Sequence, residues 1–163
     1  VGASTGGFTD CLLQRGAAHS TCVDVGRGQL HHRLRTDSRV TNLEKLHAAE
    51  LPAAELPFRT YDWIVMDLSF ISLRRVLEPV WERLEPGGIL VCLVKPQFEA
   101  TREEADRGKG IIRDPAVRQR VLNEVLEFAT SRLEGAELLD HQPSTLSGTD
   151  GNLEFLAAFR RKP

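Results

Sequence analysis

Two residues at the ends of successive apolar runs are the chain's best candidates for chemistry. Asp67 lies near the end of Tyr61 to Ser69 (YDWIVMDLS), and Lys95 follows Ile89 to Val94 (ILVCLV). A lysine is ordinarily protonated at neutral pH. It serves as a base only when desolvated or crowded by other cations; a carboxylate beside it favours the charged form but fixes its direction. Such a directed pair suits an alcohol nucleophile. A ribose hydroxyl, for example, is a poor nucleophile and needs a positioned base before it can attack an activated methyl group. An ion pair that merely ties two strand ends is the structural alternative, although Lys95-Pro96 after a wholly apolar strand is an unusual setting for one. Glu154, at the start of the last β-prone run, Leu153 to Phe159 (LEFLAAF), reaches the same rim if that strand runs antiparallel.

A second constellation opens the chain. Val1-Gly2-Ala3-Ser4-Thr5-Gly6-Gly7-Phe8-Thr9-Asp10 reads as an apolar strand end, a turn of small residues and a helix start. Such a turn lets a ligand approach the backbone closely and aims free N–H groups at it. Asp24 ends the next β-prone run, His19 to Val25, about 20 residues after the turn, the spacing of an acid that binds a ribose diol. A plain turn carboxylate is the alternative. Asn42-Leu43-Glu44, closing a third strand, is positioned to flank an adenine. Gly2-Ala3-Ser4-Thr5-Gly6 formally matches a hydrolase nucleophile elbow, but it follows the first strand of the series, and of the late histidines only His141 is available. A phosphate-binding Walker loop is excluded because Phe8 stands where its lysine belongs. A nicotinamide-dependent oxidoreductase shares the Gly turn and the acid, but gives Asp67 and Lys95 no role.

The elements that must position these residues alternate between strand and helix. Phe8 to Gly16 has apolar residues at helical spacing, with Gly16 as its stop. Gly26 to Asp37 is polar and basic, a short helix whose Arg27, Arg33, Arg35, His31 and His32 either meet phosphates or form a solvated face. Arg39 to Glu44 reads as a strand, and residues 47–60 as a broken helix and loop. Tyr61 to Ser69 is the clearest strand, apolar at its centre as a buried parallel strand should be. Leu73 to Leu84 reads as an amphipathic helix closed by Glu85-Pro86-Gly87-Gly88. The charged residues 99–113 read as a mobile loop. Asp114-Pro115 caps a helix running to about Leu133. Glu137 to Gln142 is a modest strand, and Pro143 to Gly151 a Ser/Thr/Gly loop before the last strand. Repeats, low-complexity tracts and linkers are not evident.

The bulk numbers bound the class. The chain has 163 residues, enough for one domain with a real core, and 41% hydrophobic with 27% charged residues is an ordinary soluble composition. Its net charge is −2, whereas a chain that grips nucleic acid unaided is usually basic. No apolar run has membrane-helix length and no signal peptide is visible. Cys11, Cys22 and Cys92 lack metal-binding spacing and fit buried, reduced thiols in a cytoplasmic compartment. The chain opens at Val1 rather than at a methionine, which leads us to expect a missing upstream segment, including the start of the first strand.

The stretches GASTGGFTDCLLQ, CVDVG, DLSFISL, VKPQFE and the late GNLEFL closely resemble the TlyA (hemolysin-A-like) family, in order and across essentially the whole chain. The resemblance implies S-adenosylmethionine-dependent 2′-O-ribose methylation of cytidine in ribosomal RNA by one FtsJ-like domain over residues 1–163. It implies an α/β, class I Rossmann-like fold, a mostly parallel seven-stranded sheet with the last strand antiparallel. It also implies a catalytic set of Asp67, Lys95 and Glu154. The cofactor-binding set would be Gly2, Ala3, Ser4, Thr5, Gly6, Gly7, Asp24, Val25, Asn42, Leu43, Glu44 and Asp67. Ribosomal RNA would be the partner, with no metal and no membrane. A further catalytic lysine and an S4-type RNA-binding domain lie upstream of the Gly turn in that family and are not in this chain.

Overall fold

The computed structural model describes residues 1–146, 148 and 151–163; within the expected 143–151 loop, Ser147, Thr149 and Asp150 lie outside them. The Gly turn leads into α1 (Gly7–Gln14), which buries Thr9 and Leu13. Next come β1 (Ser20–Asp24), α2 (His32–Arg35) and β2 (Val40–Glu44). β1 and β2 pair in parallel from Ser20 opposite Val40 to Asp24 opposite Glu44, so two acids end neighbouring strands side by side. β3 (Tyr61–Met66) pairs in parallel with β4 (Leu84–Val94). β5 (Ala136–Pro143) and β6 (Phe155–Arg161) complete a sheet ordered β3-β4-β6-β5, with β6 antiparallel to both of its neighbours.

Residues 1–3 join the two sheets. The Val1 nitrogen donates to the Val65 carbonyl at 2.7 Å and the Val1 carbonyl accepts from the Asp67 amide at 3.0 Å. On the other side, the Gly2 and Ala3 amides donate to the Val23 carbonyl at 2.8 and 3.1 Å. The described residues thus form a two-stranded and a four-stranded sheet, not the continuous seven-stranded one expected. Below Val1 the space between β1 and β3 is a groove of about 400 Å³, lined by Phe8, Leu12, Thr21, Phe58 and Trp63 among others. β3 is accordingly less buried than its apolar centre suggests: Trp63 is 53% exposed.

Met66, Leu90, Val94 and Phe159 are fully buried at the centre of the larger sheet. They share one cluster with Val76, Leu77 and Val80 and with Leu122, Val125, Leu126 and Ala129 from α6 (Pro115–Arg132). Each such aliphatic side chain contributes about 1.5–3 kcal/mol of burial. A smaller cluster of Leu13, Cys22, Leu30 and Leu34 supports the Gly turn.

The expected helix over Leu73 to Leu84 is broken. Leu73–Arg75 is a 3₁₀ turn, and α3 covers only Leu77–Trp81. Pro79 lacks an N–H, and its ring would clash with the Arg75 carbonyl in a continuous helix. Leu84 instead joins β4, whose register with β3 jumps across the Glu85–Gly88 insertion. The charged 99–113 stretch, expected as a loop, contains α5 (Arg102–Arg107) after the short α4 (Pro96–Glu99). Thr101 accepts from the Glu104 amide and the Glu104 side chain accepts from the Thr101 amide, a capping box. Between β2 and β3, the 3₁₀ segment Ala48–Ala53 is held from outside. The Arg83 guanidinium donates to the carbonyls of Leu51 at 2.6 Å, Pro52 at 2.8 Å and Arg59 at 3.3 Å.

The junction allows a sharp test. Gly2 sits at φ +72°, and a Cβ there would lie 2.1 Å from the Asp67 carbonyl oxygen, which as backbone cannot swing aside. Gly2→Ala should cost about 2–4 kcal/mol in a denaturant melt. Gly7→Ala, in a helix and facing open space, should be neutral or stabilising by up to about 1 kcal/mol. Equal effects would contradict the placement of the junction.

Candidate functional site

The carboxyl ends of β3 and β4 bring Asp67 and Lys95 together. Lys95 Nζ lies 2.7 Å from Asp67 Oδ1 and donates to Ser69 Oγ at 3.2 Å. The lysine side chain is 12% exposed and that of Asp67 35%. The ion contact is close, but its angle falls outside hydrogen-bond geometry, so Asp67 Oδ1 is a buried acceptor with no directed donor. Glu154 reaches this rim because β6 is antiparallel: the start of β6 lies at the end of β4, where Phe155 faces Val94. Glu154 is 5% exposed, and its Oε1 accepts from Gln97 Nε2 at 3.2 Å. Gln97 Oε1 is a second buried acceptor without a donor. An unmet buried acceptor is costly, and Gln97 Oε1 suits a ligand that brings a donor, whereas Asp67 Oδ1 already has the Lys95 ammonium beside it.

The turn residues divide by role. Gly6 is buried at φ +101°, and a Cβ there would meet Leu34 at 2.2 Å, so its lack of a side chain serves packing against α2. Ser4, Thr5 and Gly7 are exposed, whereas Gly2 and Ala3 lie at the sheet junction. Asp24 accepts from the Ser4 amide through Oδ2 and from the Gly26 amide through Oδ1, both at 2.8 Å, so its carboxylate shapes the turn as well as facing the rim. Opposite it, Glu44 accepts from the Gly28 amide at 2.8 Å and from Asn42 Nδ2 at 3.1 Å. The Gly28 amide, then Asn42, hold the Glu44 carboxyl below the usual carboxylate range. Val25 is 63% exposed, and Leu43 packs against the main core. In the basic segment, His31 Nδ1 accepts from the Arg33 amide and caps α2.

The sequence reasoning passed over several residues at the Asp67–Lys95 end of the rim. Phe70 is 90% exposed in the left-handed region, at φ +65°, and its ring lies 5.1 Å from that of Phe98. An aromatic directly after Asp67-Leu68-Ser69 was the available signal. Glu99 stands in a charged run that reads as solvated, yet its side chain is 1% exposed. It accepts from Ser72 Oγ and from the Leu73 amide, each at 2.6 Å, and pairs with Arg74 Nε at 3.4 Å. Arg74 also pairs with Glu124 of α6. Burial pushes the Glu99 carboxyl up, while its hydrogen bonds and Arg74 pull it back. Cys92, buried in β4, has its thiol pushed up to about 12 by burial, and the three cysteines are free.

This chain is 42% identical over 161 residues to the 16S/23S rRNA (cytidine-2′-O)-methyltransferase TlyA of Mycobacterium tuberculosis, covering 98% of this chain and 58% of that protein. It is 38% identical over 159 residues to Hemolysin A of Brachyspira hyodysenteriae, covering 98% and 65%. A solved structure from Lactococcus lactis superimposes with a TM-score of 0.91 at 41% identity, over 99% of this chain and 76% of that one. The chain therefore spans between half and two thirds of the length of these curated relatives. The FtsJ-like methyltransferase profile matches residues 1–161, and the chain belongs to the FtsJ-like methyltransferase family.

Proposed function

We propose that the protein is an S-adenosylmethionine-dependent methyltransferase acting on the 2′-hydroxyl of cytidine in ribosomal RNA. The observation that carries this reading is the Lys95–Asp67 contact at 2.7 Å, beside the Gly turn. The name of the M. tuberculosis relative supports the substrate. The rim fits the cofactor in its donor set: a turn of small residues, paired acids at the ends of β1 and β2, and a buried acceptor on Asp67. Gly2 to Gly7, Asp24, Val25, Asn42, Leu43, Glu44 and Asp67 would hold it. When bound it supplies an electrophilic methyl group.

The chain's own residues do the rest. Lys95 Nζ meets the ribose hydroxyl: as the ammonium beside Asp67 it donates to the hydroxyl oxygen and holds it in place, and it takes the hydroxyl proton only as the neutral amine, after giving its own proton to solvent. Asp67 and Ser69 fix the direction of that nitrogen, and Glu154, held by Gln97, supports the network from β6. Phe70, exposed beside them and backed by Phe98, offers a ring face on which the target base stacks. A net charge of −2 suits a division of labour in which a further RNA-binding domain, of S4 type, supplies most phosphate contacts. Among the described residues no helix is long and apolar enough to cross a membrane.

In the finer reading of the fold, the sheet has seven strands in the order β2-β1-first strand-β3-β4-β6-β5. An extended segment leading into Val1 fills the groove between β1 and β3. The bonds from residues 1–3 to both sheets support this, since they already run as a strand end would.

Calorimetric titration of the chain should show binding of S-adenosylmethionine and none of NAD, and Asp24→Ala should weaken it at least roughly tenfold, the loss of a charge-assisted bond plus a disordered turn. Binding of NAD alone would replace this reading with an oxidoreductase. In the full-length protein, Lys95→Ala should lower kcat on ribosomal RNA by at least about 10²-fold while the cofactor still binds; undiminished turnover would remove Lys95 from the mechanism. The filled groove has its own readout. Trp81 is 3% exposed and Trp63 53%, so acrylamide quenching of this chain reports Trp63. Quenching should fall in a longer chain that carries the preceding segment, and an unchanged quenching constant would leave the groove open.

A further inference from the structure

Phe70 sits in a conformation that a bulky residue rarely adopts, with its ring in solvent. Neither feature stabilises the fold, so something on either side of it must hold the loop. On one side is Asp67, fixed by its amide to Val1 and by its carboxylate to Lys95. On the other side are Ser72 and Leu73, and both bond a single carboxylate, that of Glu99. Glu99 comes from the segment that also carries Lys95 and Phe98. Its Oε2 accepts from Ser72 Oγ and pairs with Arg74, while its Oε1 accepts from the Leu73 amide. Arg74 closes the ring by donating to the Glu99 backbone carbonyl at 3.1 Å.

We propose that Glu99 is a positioning residue for the target base: by anchoring Ser72 and Leu73 it fixes the far end of the Asp67–Ile71 loop and holds Phe70 outward against Phe98. This inference rests on the methyltransferase reading above. The clamp ties the loop after β3 to the loop after β4, so the residue that meets the base and the residue that meets the hydroxyl keep a constant spacing. Glu99 acts through Phe70 and touches no substrate.

The test uses the full-length protein and its Glu99→Ala, Glu99→Gln, Phe70→Ala and Glu99→Ala/Phe70→Ala variants. Glu99→Ala should raise KM for ribosomal RNA roughly tenfold, in the range of a lost base–aromatic stack, with a smaller change in kcat and cofactor affinity within about twofold. Glu99→Gln keeps an acceptor for the Leu73 amide and a polar partner for Ser72, and should recover most of that loss. The double variant should be no worse than Phe70→Ala within about twofold, because both changes remove one contact. Multiplying effects, or a wild-type KM in Glu99→Ala, would overturn the proposal. Amide hydrogen exchange gives a readout free of activity: Glu99→Gln should stay close to wild type, whereas Glu99→Ala, or Ser72→Ala if that variant does not fold, should speed exchange over 68–75 while β3 stays protected. Unchanged exchange there would overturn the clamp even in an active enzyme. An inactive wild type with the exchange change present would instead overturn the methyltransferase reading and leave the clamp standing.

Discussion

The whole arrangement depends on a few backbone hydrogen bonds made by residues 1–3. They join β1 on one side to β3 on the other, and without them the two sheets share no ladder among the described residues. The constraint is steric as well as polar. The chain must turn away from β3 into the Gly turn while passing against the Asp67 carbonyl, and only a residue without Cβ clears it at φ +72°. The same crossing sets the site. It fixes the backbone of Asp67, which faces Lys95, and places the Ser4 amide on Asp24. Fold and rim geometry are therefore consequences of one junction.

Much of this was legible in the sequence. Strand ends announce themselves when a polar residue follows an apolar run, which is why the Gly turn, Asp24, Asp67 and Lys95 could be gathered at one rim. Glu154 required one more assumption, the antiparallel direction of β6, and the pairing of Phe155 with Val94 supports it. What could not be read depends on contacts distant in sequence. Glu99 looks solvated among Arg102, Glu103 and Glu104, and only the return of Ser72 and Leu73 to its side buries it. The capping box at Thr101 was readable, but two nearby glycines and the density of charge argued for a loop. Pro79 should have signalled the broken helix, since the apolar spacing around it continues on both sides.

The ion pairs around the site are unequal. Arg102 with Asp106 lies on the solvated face of α5, with both side chains more than two thirds exposed, and adds little to stability. Glu99 with Arg74 differs because the carboxyl group is withdrawn from water, which pushes it up, and is met by an oriented set of donors that pull it back. Removing one member of such a set leaves a buried polar group without its partner, so these residues form a unit rather than a sum of pairs.

Arg83 has a consequence of a different kind. The segment between β2 and β3 has its 3₁₀ turn and His47 cap, buries Ala48 and Leu51 in the main core, and has its outer carbonyls gathered by one guanidinium. Leu51, Leu56 and Phe58 of this segment wall the groove beside β3. The wall of the groove is thus held twice, by the Arg83 guanidinium from outside and by Ala48 and Leu51 in the main core, so the side of the groove away from both sheets is shaped by the same core that holds β3 and β4.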